Sequence, residues 1–230
     1  PAQPGMDFGD APDPAYPTLL ASDGARHKVL PGMFLGANVE VELDGLPNAS
    51  ALGDDQSSLD DEDGVTFTAP LMAGTDVIIE VVASAPGMLN AWIDFNLDGS
   101  WGQADEHIFT DLALSAGVNS LIVPVPSAAM AGLSFARFRF NSAGGLSYTG
   151  EADDGEVEDY NVEIFTNEGE SEGEGLPAEG SPEEGEGTVE GIEEGSPEGI
   201  VEGEGVEEGS PEGIVEGEGV EEGSPEGIVE

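Results

Sequence analysis

Apolar and polar residues alternate with a period of two in several short runs, and no ten-residue window carries helical periodicity. In residues 38–43, Val39, Val41 and Leu43 fall on one face and Glu40 and Glu42 on the other, the pattern of a half-buried strand. Further strands are predicted over 65–67, 77–82, 89–94, 107–112, 121–125, 133–140 and 157–165. Clusters of Gly, Pro, Asp and Ser separate them at the spacing of a sandwich or barrel. Residues 1–36 hold repeated X-Pro steps, which exclude helix and favour extended segments and turns. The chain therefore predicts an all-β fold: an antiparallel sandwich, jelly-roll or Ig-like, of about eight strands.

One connection carries chemistry. Between Trp92-Ile93 and Ile108-Phe109, Asp94, Asn96 and Asp98 recur at every second position and Gly99 allows a sharp turn. Alternating oxygen-bearing side chains in a tight turn converge on one point, as calcium with its six to eight oxygen ligands requires. Asp105 stands at position 12 and Glu106 at position 13 of this loop. Glu106 is the expected closing ligand, because its longer side chain reaches back more easily, and the Ser100 carbonyl is expected to add a further oxygen. An Asx-rich turn capping its own backbone is the bland alternative. The flanks are β-branched and aromatic, so the loop belongs to a β protein and not to a helical calcium hand.

Two other acidic turns are second metal candidates: Asp61 and Asp63 beside Gly64, and Asp153, Asp154 and Glu156 around Gly155. Each could instead be a solvated turn or a partner for Arg26, Arg137 or Arg139. In strand 133–140, Arg137 and Arg139 share one face while Ala136, Phe138 and Phe140 take the other. Their expected partners are Glu156, Glu158 and Asp159, in a pairing that orients structure more than it binds ligand.

Charge sharpens this picture. The chain holds 50 acidic and 4 basic residues, a net −46, which repels nucleic acid and anionic membranes and favours divalent cations. All 18 Asp and all 4 basic residues lie in 1–166; residues 167–230 hold 23 Glu and no Lys or Arg. The second part has a 14-residue period, seen with Ser196-Pro197, Ser210-Pro211 and Ser224-Pro225 in register. Too few apolar residues recur there to build a stacked core, so an extended acidic spacer or stalk is expected, not a solenoid. The repeat stops mid-period at Glu230, so the protein is expected to continue; the start at Pro1-Ala2-Gln3 suggests a processed product. With no cysteine, no disulfide staples the domain, and bound calcium is a plausible substitute. No run reaches the ~18 apolar residues of a membrane span.

Four motifs occur in order: Asp7-Phe8-Gly9-Asp10-Ala11-Pro12-Asp13, Asp61-Glu62-Asp63-Gly64-Val65, Trp92-Ile93-Asp94-Phe95-Asn96-Leu97-Asp98-Gly99 and Gly155-Glu156-Val157-Glu158-Asp159-Tyr160. Together they resemble the GEVED domain, over residues 6–165. The resemblance implies a β-sandwich module in large secreted or surface-attached bacterial proteins. It also supports Glu106 over Asp105, since members of that family end the acidic loop with a Glu there.

Enzyme signatures are absent from the sequence: there is no G-x-S-x-G, no H-E-x-x-H and no phosphate-cradling Gly loop. His27, between Arg26 and Lys28, is expected at the surface or in an ion pair, and His107 is expected to face solvent. The function expected is a non-catalytic, calcium-stabilised structural or adhesive module. Two alternatives stand beside it: a carbohydrate-binding accessory module using exposed Trp101 or Tyr148, and a subunit that self-assembles into a surface filament.

Overall fold

The computed structural model describes residues 5–53 and 61–167, so residues 1–4, residues 54–60 and the acidic repeats lie outside the described residues. Eleven strands are present there: β1 (Met6–Phe8), β2 (Arg26–Lys28), β3 (Val65–Phe67), β4 (Leu71–Met72), β5 (Asp76–Ala83), β6 (Gly87–Ile93), β7 (His107–Leu114), β8 (Gly117–Pro124), β9 (Gly132–Asn141), β10 (Glu151–Ala152) and β11 (Glu156–Phe165). A five-stranded sheet runs in the order β4-β11-β9-β6-β7, and a three-stranded sheet in the order β3-β5-β8. A third, small sheet joins β1, β2 and β10. The fold is all-β, a sandwich as the periodicity predicted. No helix in the described region is long and apolar enough to cross a membrane.

Period-two alternation explains the inner layer. In β5, Val77, Ile79, Val81 and Ala83 are buried while Ile78 and Glu80 face outward. They meet Leu89, Ala91 and Ile93 of β6, Ala136, Phe138 and Phe140 of β9, and Val162 and Ile164 of β11 in one apolar cluster. Each fully buried side chain of this kind contributes about 1.5–3 kcal/mol against unfolding.

β6, β9 and the first half of β11 are buried on both faces. Their second face is covered by the amino-terminal arm, where Ala11 and Tyr16 pack against Trp92 and Trp101, with Phe135 and Tyr148 alongside. That cover places Arg137 and Arg139 in a closed layer instead of in solvent.

The strand predicted over 38–43 does not form. Only an isolated bridge links Glu42 to Met6, and Val41 and Leu43 are 59% and 97% exposed. The alternation exists, but its polarity is inverted: Glu42 turns inward, where its Oε2 accepts the Phe8 N–H at 3.1 Å. A backbone donor that needs an acceptor outweighed the burial of two aliphatic side chains.

Candidate metal centre

β6 ends at Ile93 and β7 begins at His107, so residues 94–106 form the connection between two paired strands. Asp94 is anchored at its base: its N–H donates to Phe135 O at 3.2 Å, and its carbonyl accepts the Ser134 hydroxyl. Its carboxylate is held on both sides. Oδ2 accepts the Tyr16 hydroxyl at 2.7 Å and the Gly99 N–H at 2.9 Å; Oδ1 accepts the Asn96 N–H at 3.2 Å. Leu97 and Gly99 both take positive φ, 58° and 78°, which curls the loop around that carboxylate. Asn96 Oδ1 in turn accepts the Asp98 N–H at 2.9 Å. Ser100 Oγ accepts from Gly102 N at 3.0 Å.

The loop returns through Glu106. Its carbonyl accepts the Ile93 N–H at 2.9 Å, and its Oε2 accepts the Gln103 N–H at 3.1 Å. Carboxylate oxygens of Asp94, Asp98 and Glu106 thereby lie within 4.8 Å of one another. Asp94 and Glu106 are buried and Asp98 is exposed at the mouth. Asp105 points to solvent, so Glu106 is the acid that closes the group.

The three acids crowd negative charge into one place. Burial pushes the Glu106 carboxyl up to about 7; the Gln103 N–H pulls the other way, and Asp94, Asp98 and Asp105 add repulsion. Glu106 Oε1 is buried and has no hydrogen-bond partner. Among the described residues, none of the three acids forms an ion pair with a basic side chain. An all-oxygen donor set with one buried, unpartnered oxygen fits a hard divalent cation. Asp94, Asn96, Asp98, the Ser100 carbonyl and Glu106 are the residues that would hold it.

The second candidates are rearranged. Asp61 and Glu156 come together, joined by Asp7 from the amino-terminal arm; oxygens of the three lie within 4.8 Å of one another. Asp63, Asp153 and Asp154 go elsewhere. Asp63 accepts from Ala37 N at 2.8 Å and Asn38 Nδ2 at 3.1 Å. Asp153 pairs with Lys28 at 2.6 Å, and Asp154 accepts from Ser142 N at 2.9 Å. The divergence at the second turn has a backbone cause. Gly155 has φ of +99°, and a Cβ there would sit 1.8 Å from Phe140 O, so the chain turns sharply between Asp154 and Glu156.

Only one of the expected arginine pairings forms. Arg137 lies directly across from Asp159 in the β9–β11 register, and Arg139 across from Val157. Glu156 and Glu158 oppose Phe140 and Phe138 and so share the core face, away from the arginines. There Glu156 accepts the Leu35 N–H, while Glu158 accepts the Gly64 N–H at 2.8 Å and the Tyr160 hydroxyl at 3.1 Å. Burial raises both glutamates above the usual carboxylate range.

Arg137 and Asp159 are both fully buried and bind bidentately, Nε to Oδ1 at 2.7 Å and Nη2 to Oδ2 at 2.6 Å. Asp159 also accepts the Asp10 and Ala11 N–H groups, each at 2.9 Å, and the guanidinium lies 4.6 Å from the Trp101 ring centre. Arg139 donates instead to His27 Nε2 at 3.0 Å and to the carbonyls of Ser147, Thr149 and Gly150. Burial and the neighbouring Arg137 charge press its pKa down to about 9, so it stays charged at neutral pH.

Both histidines differ from expectation. His27 is fully buried, accepting from Arg139 through Nε2, which puts its proton on Nδ1 facing Asp154 O at 2.7 Å. His107 stacks on Trp92 with ring centres 4.4 Å apart. Trp101 is 1% exposed, with its indole N–H donated to Phe135 O at 3.1 Å.

Residues 88–163 match the family model of the GEVED domain. They include the acidic loop and the strand that carries Gly155 to Tyr160; the motifs over 7–13 and 61–65 fall outside the matched residues. No curated protein matches the chain, and no solved structure does. Residues 88–163, which run from β6 into β11 of the sandwich, are thus similar to the GEVED domain.

Proposed function

We propose that the chain is a non-catalytic structural or adhesive module of a secreted or cell-surface bacterial protein, stabilised by calcium in the 94–106 loop. The observation that carries the calcium reading is the convergence of Asp94, Asp98 and Glu106 around a buried Glu106 oxygen with no partner. Backbone capping accounts for one Glu106 oxygen, which accepts the Gln103 N–H, and leaves the buried Oε1 without a use. The GEVED resemblance and the acidic composition, which suits a display spacer, support the surface setting. The carbohydrate-binding alternative is disfavoured, because buried Trp101 offers no free face for stacking on sugar and Tyr148 is half-buried. Self-assembly by the amino-terminal arm is disfavoured too, since Asp159 and β2 already hold that arm within the chain.

Thermal melting of the full chain in millimolar calcium and in excess EDTA tests the proposal. Extracellular calcium modules bind with Kd of ~10⁻⁴–10⁻³ M. At tenfold excess, linkage gives about 1.4 kcal/mol, or about 3–6 °C for a domain of this size. Asp94→Ala and Asp98→Ala should each remove the loop ion's share of the rise. A rise that neither substitution diminishes would place the ion elsewhere, and no rise at all would reduce the loop to an acidic turn.

A further inference from the structure

We propose that Asp7, Asp61 and Glu156 hold a second divalent cation, separate from the one in the 94–106 loop, which staples the amino-terminal arm and the 61–64 segment to the start of β11. The three are 2%, 3% and 1% exposed, and their carboxylate oxygens lie within 4.8 Å of one another. Burying three carboxylates together is costly unless positive charge joins them. Glu156 Oε1 supplies the second observation: it is buried and has no hydrogen-bond partner, although its sister oxygen accepts the Leu35 N–H.

Backbone donors also hold the other two carboxylates. Asp7 Oδ2 accepts the Val157 N–H at 2.7 Å, and Asp61 Oδ2 accepts the Glu40 N–H at 2.9 Å. Such bonds fix the rotation of each carboxylate, which is the preorganisation an ion site needs. The location gives the ion a structural task. β4 covers the outer edge of β11 only at Ile164 and Phe165, so among the described residues the first half of β11 has no strand on that side. Asp7 reaches that edge from β1 and Asp61 lies just before β3. A shared ion therefore links three segments far apart in sequence. The donors are all carboxylate oxygens, with no nitrogen or sulfur, which selects calcium or another hard divalent ion over zinc or copper.

Ion counting by equilibrium dialysis of the full chain with radioactive calcium, at pH 7.5 and ~0.15 M KCl to screen the diffuse charge of the acidic repeats, tests this. Asp98→Ala removes the loop site, Glu156→Gln removes the second, and the double variant gives the background. The wild type is expected to bind one more saturable ion than Glu156→Gln, and Asp98→Ala to keep one saturable ion. Equal counts for wild type and Glu156→Gln, or only non-saturating uptake by Asp98→Ala, would overturn the second site. Equal counts for wild type and Asp98→Ala, with one ion lost in Glu156→Gln, would instead remove the loop site and leave this one standing. Near-UV circular dichroism from Trp92 and Trp101 reports folding. If Glu156→Gln does not fold, Asp61→Asn takes its place; if neither folds, the Asp98→Ala result decides alone.

Discussion

Asp159, in the middle of β11, and Glu106, at the end of the β6–β7 loop, are buried almost equally, at 0% and 1% exposure, but only the first meets a cation of the chain's own. Arg137 takes both oxygens of Asp159, and the Asp10 and Ala11 N–H groups add two more donors. Glu106 faces Asp94 and Asp98 and keeps one oxygen without a partner. A carboxylate compensated from within is stable in any buffer. One compensated from outside makes the fold depend on what the solution contains. With only four basic residues for the 27 acids of residues 1–166, the chain cannot compensate every buried acid internally.

The largest effect should come from breaking the internal pair. Arg137→Ala leaves Asp159 buried and uncompensated, which costs about 3–5 kcal/mol. Urea denaturation should show the same loss in calcium and in EDTA. A loss that appears only with calcium present would erase the distinction between the two carboxylates.

Asp98→Ala addresses the other side. It should forfeit the calcium-dependent gain of about 1.4 kcal/mol. In EDTA it should stay within ~0.5 kcal/mol of wild type, or exceed it, because an exposed side chain is lost and one repelling charge goes with it. Heavy destabilisation in EDTA would mean that Asp98 serves the fold without any ion.

Tyr16→Phe removes the hydroxyl that donates to Asp94 Oδ2. The expected cost is about 0.5–1.5 kcal/mol, because Gly99 N still serves that oxygen. Its calcium-induced shift in melting temperature should remain; abolition of that shift would make the tyrosine part of the ion site.

His27→Gln should leave stability near pH 7 least changed and alter the pH dependence instead. Burial, with Arg139 next to it, lowers the native His27 pKa well below 6.5. Between the native and unfolded values the unfolded chain binds more protons, so stability rises with pH through that window and is lost as pH falls. From pH 7 to pH 5 the wild type should lose more stability than the variant, in which the amide can both accept from Arg139 and donate to Asp154 O. Parallel curves would place a charged His27 in the folded protein.

Much of this architecture was legible where the information is local. Seven predicted strands correspond to β3, β5, β6, β7, β8, β9 and β11, because each presents a period-two face to a large core. The acidic loop was legible for a similar reason: its carboxylates sit within one turn and one return strand. β1, β2, β4 and β10 were missed, as segments of two or three residues carry no measurable period; β3, equally short, was legible only as the apolar run Val65-Thr66-Phe67 that follows the acidic turn. The failure at residues 38–43 shows that alternation gives the spacing of the two faces but not which one is inside. Asp61 and Glu156 were legible as candidates in separate turns, but their meeting with each other and with Asp7 was not, since only long-range packing makes it. Burial of His27 was hidden by its charged neighbours, Arg26 and Lys28, which point outward to Asp23, Glu151 and Asp153.

Terbium luminescence asks most directly whether the loop takes its cation from solution. Terbium occupies calcium sites and emits when nearby aromatic rings absorb; Tyr16 touches Asp94, and Trp101 packs against Tyr16 with ring centres 4.6 Å apart. Excitation of the full chain should give saturable emission that excess calcium displaces, and Asp98→Ala should lose that component. Emission that never saturates, or that Asp98→Ala leaves unchanged, would contradict an ion held by Asp94, Asp98 and Glu106.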